Sequence, residues 1–188
     1  ALGDNYPSKS PGRNWRTNFD YKLSFDSDLT TSKCYPDPGN LNACSPIPTQ
    51  PSTIYSHRPD GRIIKFNWDA STSAWLEAKA SPIAKIVKNA NGTYTHTTEE
   101  NETETYSNIG YVQKVQNEAG VSWMFTYTNY YLTKVQHSSG RAVNFTWSGN
   151  KLLSAIDPAG NVYSYTYLNN RFGTNLHLLS TVSRPGTP

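Results

Sequence analysis

Four glutamates in a short threonine-rich stretch form the densest group of chemically capable side chains in the sequence. The stretch holds Glu99, Glu100, Glu102 and Glu104. Neighbouring carboxylates can bind a metal ion or act as a general acid and base, and glycoside hydrolysis needs two of them at a fixed separation in a cleft. A charged strand edge or hairpin is the simpler interpretation, because charge protects exposed edges from aggregation. We therefore expect neither a metal site nor a catalytic pair here.

A histidine, a serine and an aspartate close in sequence suggest nucleophilic catalysis. Ser139 and Asp157 lie near His137, whereas the other histidines are dispersed at His57, His96 and His177. A Gly-x-Ser-x-Gly elbow, which would present the serine as a nucleophile, does not accompany them. His137 and Asp157 instead occupy corresponding turn positions of a repeat described below. The pattern predicts turn capping, so we expect no enzyme activity, no metal and no cofactor.

Cys34 and Cys44 flank nine residues at the start of a proline-rich stretch, residues 34–59, which holds six of the 12 prolines. Such a stretch predicts a loop inserted into a lead-in segment, residues 1–60. Either a disulfide closes the loop in an oxidising compartment, or the two thiols are free. Two cysteines without nearby histidines do not make a structural zinc site.

The composition favours strands as the elements that position these residues. The 188 residues are 36% hydrophobic, 13% aromatic and 16% charged, with one methionine and a net charge of +3. Thr, Tyr, Trp and Phe suit half-buried pleated surfaces, so an all-β fold is expected. No apolar run reaches the roughly 18 residues of a membrane-spanning helix. The weak positive charge argues against a nucleic-acid partner, and the opening Ala1-Leu2-Gly3 suggests an internal piece of a longer protein.

An internal repeat is the strongest signal in the sequence. Gly120, Gly140 and Gly160 are spaced by 20 residues, and Gly61 has the same pattern. Aromatic residues follow each glycine at offsets five and seven: Phe66 and Trp68, Phe125 and Tyr127, Phe145 and Trp147, Tyr165 and Tyr167. A degenerate copy upstream contains Tyr106, Val112 and Val115. Fixed periods of this kind indicate a repeat architecture.

Each repeat predicts a two-stranded hairpin. Residues 61–68, 121–127, 141–147 and 161–167 alternate apolar with polar, which is typical of half-buried strands. One hairpin cannot bury its aromatic face alone, so residues 61–188 are expected to form one continuous sheet of antiparallel hairpins. We expect the aromatic residues to share one largely buried face. A sugar-binding platform is the alternative role for that face.

The ordered set of motifs resembles the RHS/YD-repeat proteins. Gly-x4-(Phe/Tyr)-x-(Tyr/Trp), then Leu-x-x-Val and Asp-Pro-x-Gly, matches the repeat of that family. The stretch from Arg58 to Arg62 with Phe66 resembles its RPDGR…F segment, and the stretch from Gly12 to Asp20 resembles the segment before its repeats. The aspartate that follows tyrosine in the family is absent after Tyr127, Trp147 and Tyr167, which indicates a degenerate part of the array.

The resemblance implies a curved β-sheet that forms part of a hollow shell around a C-terminal toxin used between bacteria or against a host. The partners would be the remainder of the same shell and the enclosed toxin, with self-association through sheet edges. Localisation would be secreted or at the bacterial cell surface. The alternative function is a cell-surface adhesion or glycan-binding module built from the same repeats.

Overall fold

The computed structural model describes residues 17–26, 50–149, 151–168 and 178–186. These residues form one antiparallel sheet of 14 strands, in which each strand pairs with its neighbours in chain order, and they contain no helix. The strands are β1 (Lys22–Phe25), β2 (Thr53–His57), β3 (Ile63–Asp69), β4 (Ala74–Glu77), β5 (Lys85–Lys88), β6 (Tyr94–Thr97), β7 (Thr103–Tyr106), β8 (Val112–Gln116), β9 (Ser122–Thr128), β10 (Tyr131–His137), β11 (Ala142–Ser148), β12 (Lys151–Ile156), β13 (Val162–Leu168) and β14 (Leu178–Ser183). The all-β prediction is confirmed. The four predicted strands are β3, β9, β11 and β13, within two residues at each end.

The expectation of a loop over residues 34–59 is wrong at its carboxyl end. Thr53–His57 forms β2, which lies between β1 and β3. The prolines closest to this strand are Pro51 and Pro59, so every residue of β2 keeps its amide hydrogen for the sheet. Cys34 and Cys44 lie outside the described residues, so a disulfide and two free thiols both stay open.

One turn design recurs along the sheet. In the turn from Asp157 to Gly160, the Gly160 amide donates to the Asp157 carbonyl at 3.0 Å, and the Asp157 amide donates to the Asn161 carbonyl at 3.0 Å. Gly160 has a φ of +85°, the left-handed conformation that glycine adopts without strain. The same pair of hydrogen bonds begins at Arg58, Asn89, Thr98, Ser107, Asn117 and His137. This pattern is typical of three-residue hairpin loops whose last residue is left-handed.

A bulge also recurs in four hairpins, but it is absent beside Trp68 in the repeat that begins at Gly61. The strand register shifts beside Tyr106, Tyr127, Trp147 and Tyr167, where the partner strand carries one extra residue. A bulge bends its strand and increases the local twist. A bulge at the same place in successive hairpins therefore curves the sheet in a regular way.

The sheet curls until its first strand meets the turn between β7 and β8. Lys22 forms a bridge with Tyr111, and the Leu23 amide donates to the Gly110 carbonyl at 2.9 Å. Gly110 has a φ of +85°, and a Cβ atom there would overlap the Leu23 carbonyl oxygen. Glycine is therefore required at position 110 for both its conformation and the close approach of β1.

The core lies on the inner, concave face of the curl. Its fully buried apolar side chains come from the first eight of the 14 strands: Leu23, Ile54, Phe66, Trp75, Ile86, Tyr106 and Val112. The aromatic residues of the repeat do share this face, but only Phe66 and Phe125 are buried, whereas Trp123, Tyr127, Phe145, Trp147, Tyr165 and Tyr167 are half-buried. The expectation of a largely buried aromatic face therefore holds for the first part of the sheet and fails toward its carboxyl end.

Candidate functional site

The polar centre of the inner face lies at Glu104 on β7. In the later repeats, the bulge lies beside the second aromatic residue of the pair. The first aromatic residue of the pair stands two positions earlier, and it is Phe125, Phe145 or Tyr165. In the degenerate copy, the bulge lies at Tyr106, so the corresponding position is Glu104. Its side chain has no exposed surface. A carboxylate thus occupies a core position that elsewhere holds a ring.

Three side chains converge on this carboxylate. The Arg58 Nη1 donates to Oε2 at 2.7 Å, and Nη2 lies 2.6 Å from Oε1. The Tyr106 hydroxyl also donates to Oε2 at 2.7 Å. His96 lies directly opposite Glu104, on β6, and its Nδ1 donates to the same oxygen at 2.7 Å. Because an ionised carboxylate only accepts hydrogen bonds, the His96 hydrogen is on Nδ1. The Arg58 guanidinium also lies over the Tyr21 ring, 5.0 Å from its centroid.

The surroundings hold Glu104 in its ionised form. Burial alone would raise the pKa of its carboxyl group, but the hydrogen bonds and charges of His96 and Arg58 outweigh burial and lower the pKa to about 2. Burial, with the negative charge of Glu104, raises the pKa of Tyr106 well above its ordinary value. Burial acts to lower the pKa of Arg58, yet the hydrogen bond and charge of Glu104 raise it. The ion pair is therefore permanent across the physiological range.

The cluster is suited to holding the sheet in its curl rather than to catalysis. A buried carboxylate that accepts from three donors and has a pKa far from neutrality makes a poor general base. Within the described residues, the buried polar atoms of this region that lack a hydrogen-bond partner include His96 Nε2, Ser56 Oγ and Glu104 Oε1, and Glu104 Oε1 has only its ion-pair contact with Arg58. None of these atoms brings a nucleophile into contact with a base. The geometry supports a positioning role.

The glutamate run does not act as one group. Glu99 and Glu100 lie exposed in the turn between β6 and β7, and Glu99 pairs with Lys79. A shallow surface depression of about 390 Å³ lies beside Glu100, Glu102 and Glu118. In the part of the chain that the structure describes, no three His, Cys, Asp or Glu residues are arranged to hold a metal ion. The charged-edge interpretation fits the turn but is wrong for Glu104.

A sequence signal for this cluster existed. Glu104 precedes Tyr106 by two positions, so it shares the inner face of β7, and that spacing matches the aromatic pair of the repeat. In the sequence, however, the four glutamates form one run, and His96 is one of several dispersed histidines. The partner Arg58 was harder to find, because it lies 46 positions away and reaches Glu104 only when the sheet curls.

His137 and Asp157 cap turns, as predicted. The Asp157 Oδ1 accepts from the Ala159 and Asn161 amides, both at 2.9 Å. The His137 Nδ1 accepts from the Ser139 amide at 3.1 Å and lies 2.8 Å from the Ser139 hydroxyl oxygen. Each side chain thus serves its own turn, and the structure does not bring His137 and Asp157 together in a triad.

In the repeats that begin at Gly140 and Gly160, the second aromatic residue bonds to the repeat before it. The Trp147 Nε1 donates to the Leu132 carbonyl at 2.8 Å, and the Tyr167 hydroxyl donates to the Leu152 carbonyl at 2.9 Å. Both donors lie 15 residues after their acceptors, and each acceptor borders a bulge. A bulge disrupts the ladder locally, so a side chain from the next hairpin completes the hydrogen bonding there.

Two comparisons with known proteins do not identify a family for this chain. No protein-family model matches the chain, and the comparison with curated proteins finds no match. Among the residues that the structure describes, no helix has the length and hydropathy that crossing a membrane requires.

Proposed function

We propose that this chain is a wall segment of an RHS/YD-repeat shell that encloses a C-terminal toxin and helps to deliver it. The observation that carries the proposal is the recurrence of the joint between hairpins: among the described residues, seven turns share one hydrogen-bond pattern, four hairpins share the bulge, and two repeats share the side-chain bond to the preceding repeat. A sheet built from one repeated joint extends by adding hairpins and curves as it grows. That is the geometry that a hollow wall needs.

The partners in this proposal are the remainder of the shell and the enclosed toxin, in a protein that is secreted or at the bacterial surface. The outermost described strand, β14, has the sequence Leu-Leu-Ser-Thr-Val-Ser and carries no charge. Of the features that usually protect an edge strand, β14 lacks charge and proline and has only the bulge beside Tyr167. A neutral edge suits pairing with another strand, either from the same shell or from a second copy.

An adhesion or glycan-binding module is the second candidate. Half-buried rings on β13, at Tyr163, Tyr165 and Tyr167, are what favour it. Sugar platforms present ring faces and free polar groups, however, and the polar ends of Trp147 and Tyr167 are already bonded to backbone carbonyls. Packing and hydrogen bonding between hairpins explain why those two side chains lie on this face. The shell wall is therefore the first candidate function, and the glycan-binding module is the second.

The test uses the longest natural protein that contains this chain. We expect protease to spare its C-terminal part, and we expect Phe66→Ala, which removes a fully buried ring, to make that part cleavable. Ile63→Ala is the matched control, because Ile63 lies on the same strand and is 46% exposed. Equal cleavage in all three proteins would contradict enclosure. Binding to a glycan array that Tyr165→Ala abolishes would favour the second candidate.

We also propose that the segment has no catalytic activity of its own. Among the described residues, His96, His137 and Asp157 are engaged in the Glu104 cluster or in turns, and His57 contacts the Ser24 hydroxyl between the paired strands β1 and β2 at 2.8 Å. The purified protein should therefore not hydrolyse glycosidic, ester or peptide substrates. Hydrolysis that disappears in His137→Ala or Asp157→Asn would instead assign an enzyme.

A further inference from the structure

The last described strand, β14, is less covered on the inner face than the strands that hold the same place in earlier hairpins. In each of these hairpins, a small apolar residue lies opposite the first aromatic residue of the pair. Val135 on β10 is 3% exposed and Ala155 on β12 is 9% exposed, whereas Val182 on β14 is 43% exposed. β10 and β12 each pair with a further strand, but no described strand pairs with the other edge of β14, which we call the open edge. The place of Val182 beside the open edge therefore accounts for its exposure.

β14 also repeats the hydrogen-bond acceptor of the earlier joints. The Leu132 carbonyl, opposite Tyr127, accepts from Trp147 of the next hairpin. The Leu152 carbonyl, opposite Trp147, accepts from Tyr167 of the next hairpin. Leu179 holds this position on β14, because it lies opposite Tyr167 beside the bulge. The Leu179 carbonyl is thus the counterpart of the two acceptors.

The earlier joints define the register in which a further strand fits. In both, the donor follows by four residues an apolar residue that lies opposite the counterpart of Val182. These residues are Val143 before Trp147, opposite Val135, and Tyr163 before Tyr167, opposite Ala155. The residue midway between them is the first aromatic residue of the pair. A strand in this register on β14 has an apolar residue opposite Val182, a ring two positions later, and Trp or Tyr four positions later.

We propose that the open edge of β14 binds an antiparallel strand with this alternating pattern, and that the Trp or Tyr of that strand donates to the Leu179 carbonyl. When a strand adds to an exposed edge, main-chain hydrogen bonds provide affinity and alternate side chains provide specificity. The incoming side chains cover Val182, as β11 and β13 cover its counterparts. The inference rests on the proposed function, since it specifies the partner strand that a wall of such joints offers.

Binding of a synthetic peptide to the full chain tests the proposal. The probe is the sequence of residues 141–148, capped at both ends and labelled with fluorescein, because it carries Val143, Phe145 and Trp147 at the required positions. We expect binding in fluorescence anisotropy and slower hydrogen exchange in β14. The Trp147→Phe peptide keeps a ring but loses the donor. It should bind about 2- to 12-fold more weakly, which corresponds to the loss of one hydrogen bond.

Two lysine variants of the chain locate the binding site. Val182→Lys places a charge opposite an apolar residue of the incoming strand, so it should abolish binding of the probe. Val162→Lys is the matched control, because Val162 is similarly exposed, at 47%, but alternates with the inner-face Tyr163 and so lies on the opposite face of β13. It should bind the probe as the unaltered chain does. Circular dichroism checks that both variants keep the sheet, and the comparison of the two peptides needs neither variant.

Several results would overturn the proposal. They are an absence of binding, equal binding of the two peptides, and equal binding of the probe to two folded lysine variants. A rise in mass by light scattering without peptide, which Val182→Lys abolishes, would assign the edge to a second copy of the chain. The protease test of enclosure is separate. A protected C-terminal part without peptide binding would reject this inference alone, and peptide binding with an unprotected C-terminal part would reject enclosure alone.

Discussion

Arg58 and Glu104 lie 46 positions apart in the chain, yet they form a two-point ion pair with contacts of 2.7 and 2.6 Å. Arg58 holds the first position of the turn between β2 and β3, where other turns have an Asn, Asp, Ser, Thr or His that bonds locally. The Arg58 side chain makes its hydrogen bond to Glu104 outside the turn. Within the turn, the Asp60 carboxylate accepts a hydrogen bond from the Arg62 amide. The pair joins two parts of the sheet that are four strands apart in pairing order, so it stabilises the curl rather than any single hairpin.

The Arg58→Met substitution should strongly destabilise the fold. Removal of one partner leaves the Glu104 charge buried with fewer donors, and losses for broken buried pairs are about 3–5 kcal/mol in the free energy of unfolding. Urea unfolding measures the loss. Arg62→Met removes an arginine whose pair with Asp60 is exposed, and it should leave stability unchanged. Equal effects of the two substitutions would mean that the buried pair does not hold the curl.

Stability should fall in acid because of Glu104. Its pKa is lowered from the ordinary 4.5 to about 2 in the folded chain, so the folded state favours the ionised carboxylate. The resulting stabilisation is complete above about pH 4.5 and is lost as the pH falls from there to about 2. Urea unfolding between pH 6 and pH 2 measures this loss. The Glu104→Gln variant should be less stable at pH 6 and should show a flatter pH dependence, and an unchanged slope would contradict the assignment.

The sequence predicts the parts of this fold that depend on local patterns. The spacing of Gly140 to Phe145 and Trp147 places β11, because a left-handed turn residue and period-two apolar residues both act over a few positions. Burial of Glu104 depends on Arg58, and their contact forms only after four strands have paired and curled. β2 was missed for a related reason, since its neighbours β1 and β3 rather than its own composition determine its pairing.

The Tyr167→Phe substitution should weaken the joint between two repeats. It removes only the hydroxyl that donates to the Leu152 carbonyl, and a single hydrogen bond of this kind contributes about 0.5–1.5 kcal/mol. Tyr163→Phe is the control on the same strand and face, and it should be close to neutral. Hydrogen exchange should also accelerate in β12 and β13 of the first variant. Equal stability of the two variants would show that the bond to the preceding repeat contributes nothing.

Truncation of an aromatic side chain of the repeat to alanine should lower the free energy of unfolding less toward the carboxyl end of the sheet. Phe66 is fully buried, so Phe66→Ala should lose about 3–5 kcal/mol, as large-to-small changes in packed cores do. Phe145 is half-buried against Phe19, so Phe145→Ala should lose clearly less in the same urea titration. An equal loss at both positions would mean that the inner face is as tightly covered at β11 as it is at β3.

Two glycines with nearly the same conformation isolate the contact that closes the curl. Gly110 and Gly120 have φ values of +85° and +83°, but a Cβ at Gly120 meets nothing within 4 Å, whereas one at Gly110 overlaps the Leu23 carbonyl oxygen. Gly120→Ala should therefore cost only the left-handed strain, about 1–2 kcal/mol. Gly110→Ala should cost more, and the Leu23 amide, which donates to the Gly110 carbonyl, should lose its protection from hydrogen exchange because β1 must move away. If the two variants were equally stable and Leu23 stayed protected in both, the contact between β1 and this turn would not hold the curl, and the ion pair of Arg58 and Glu104 would have to do so alone.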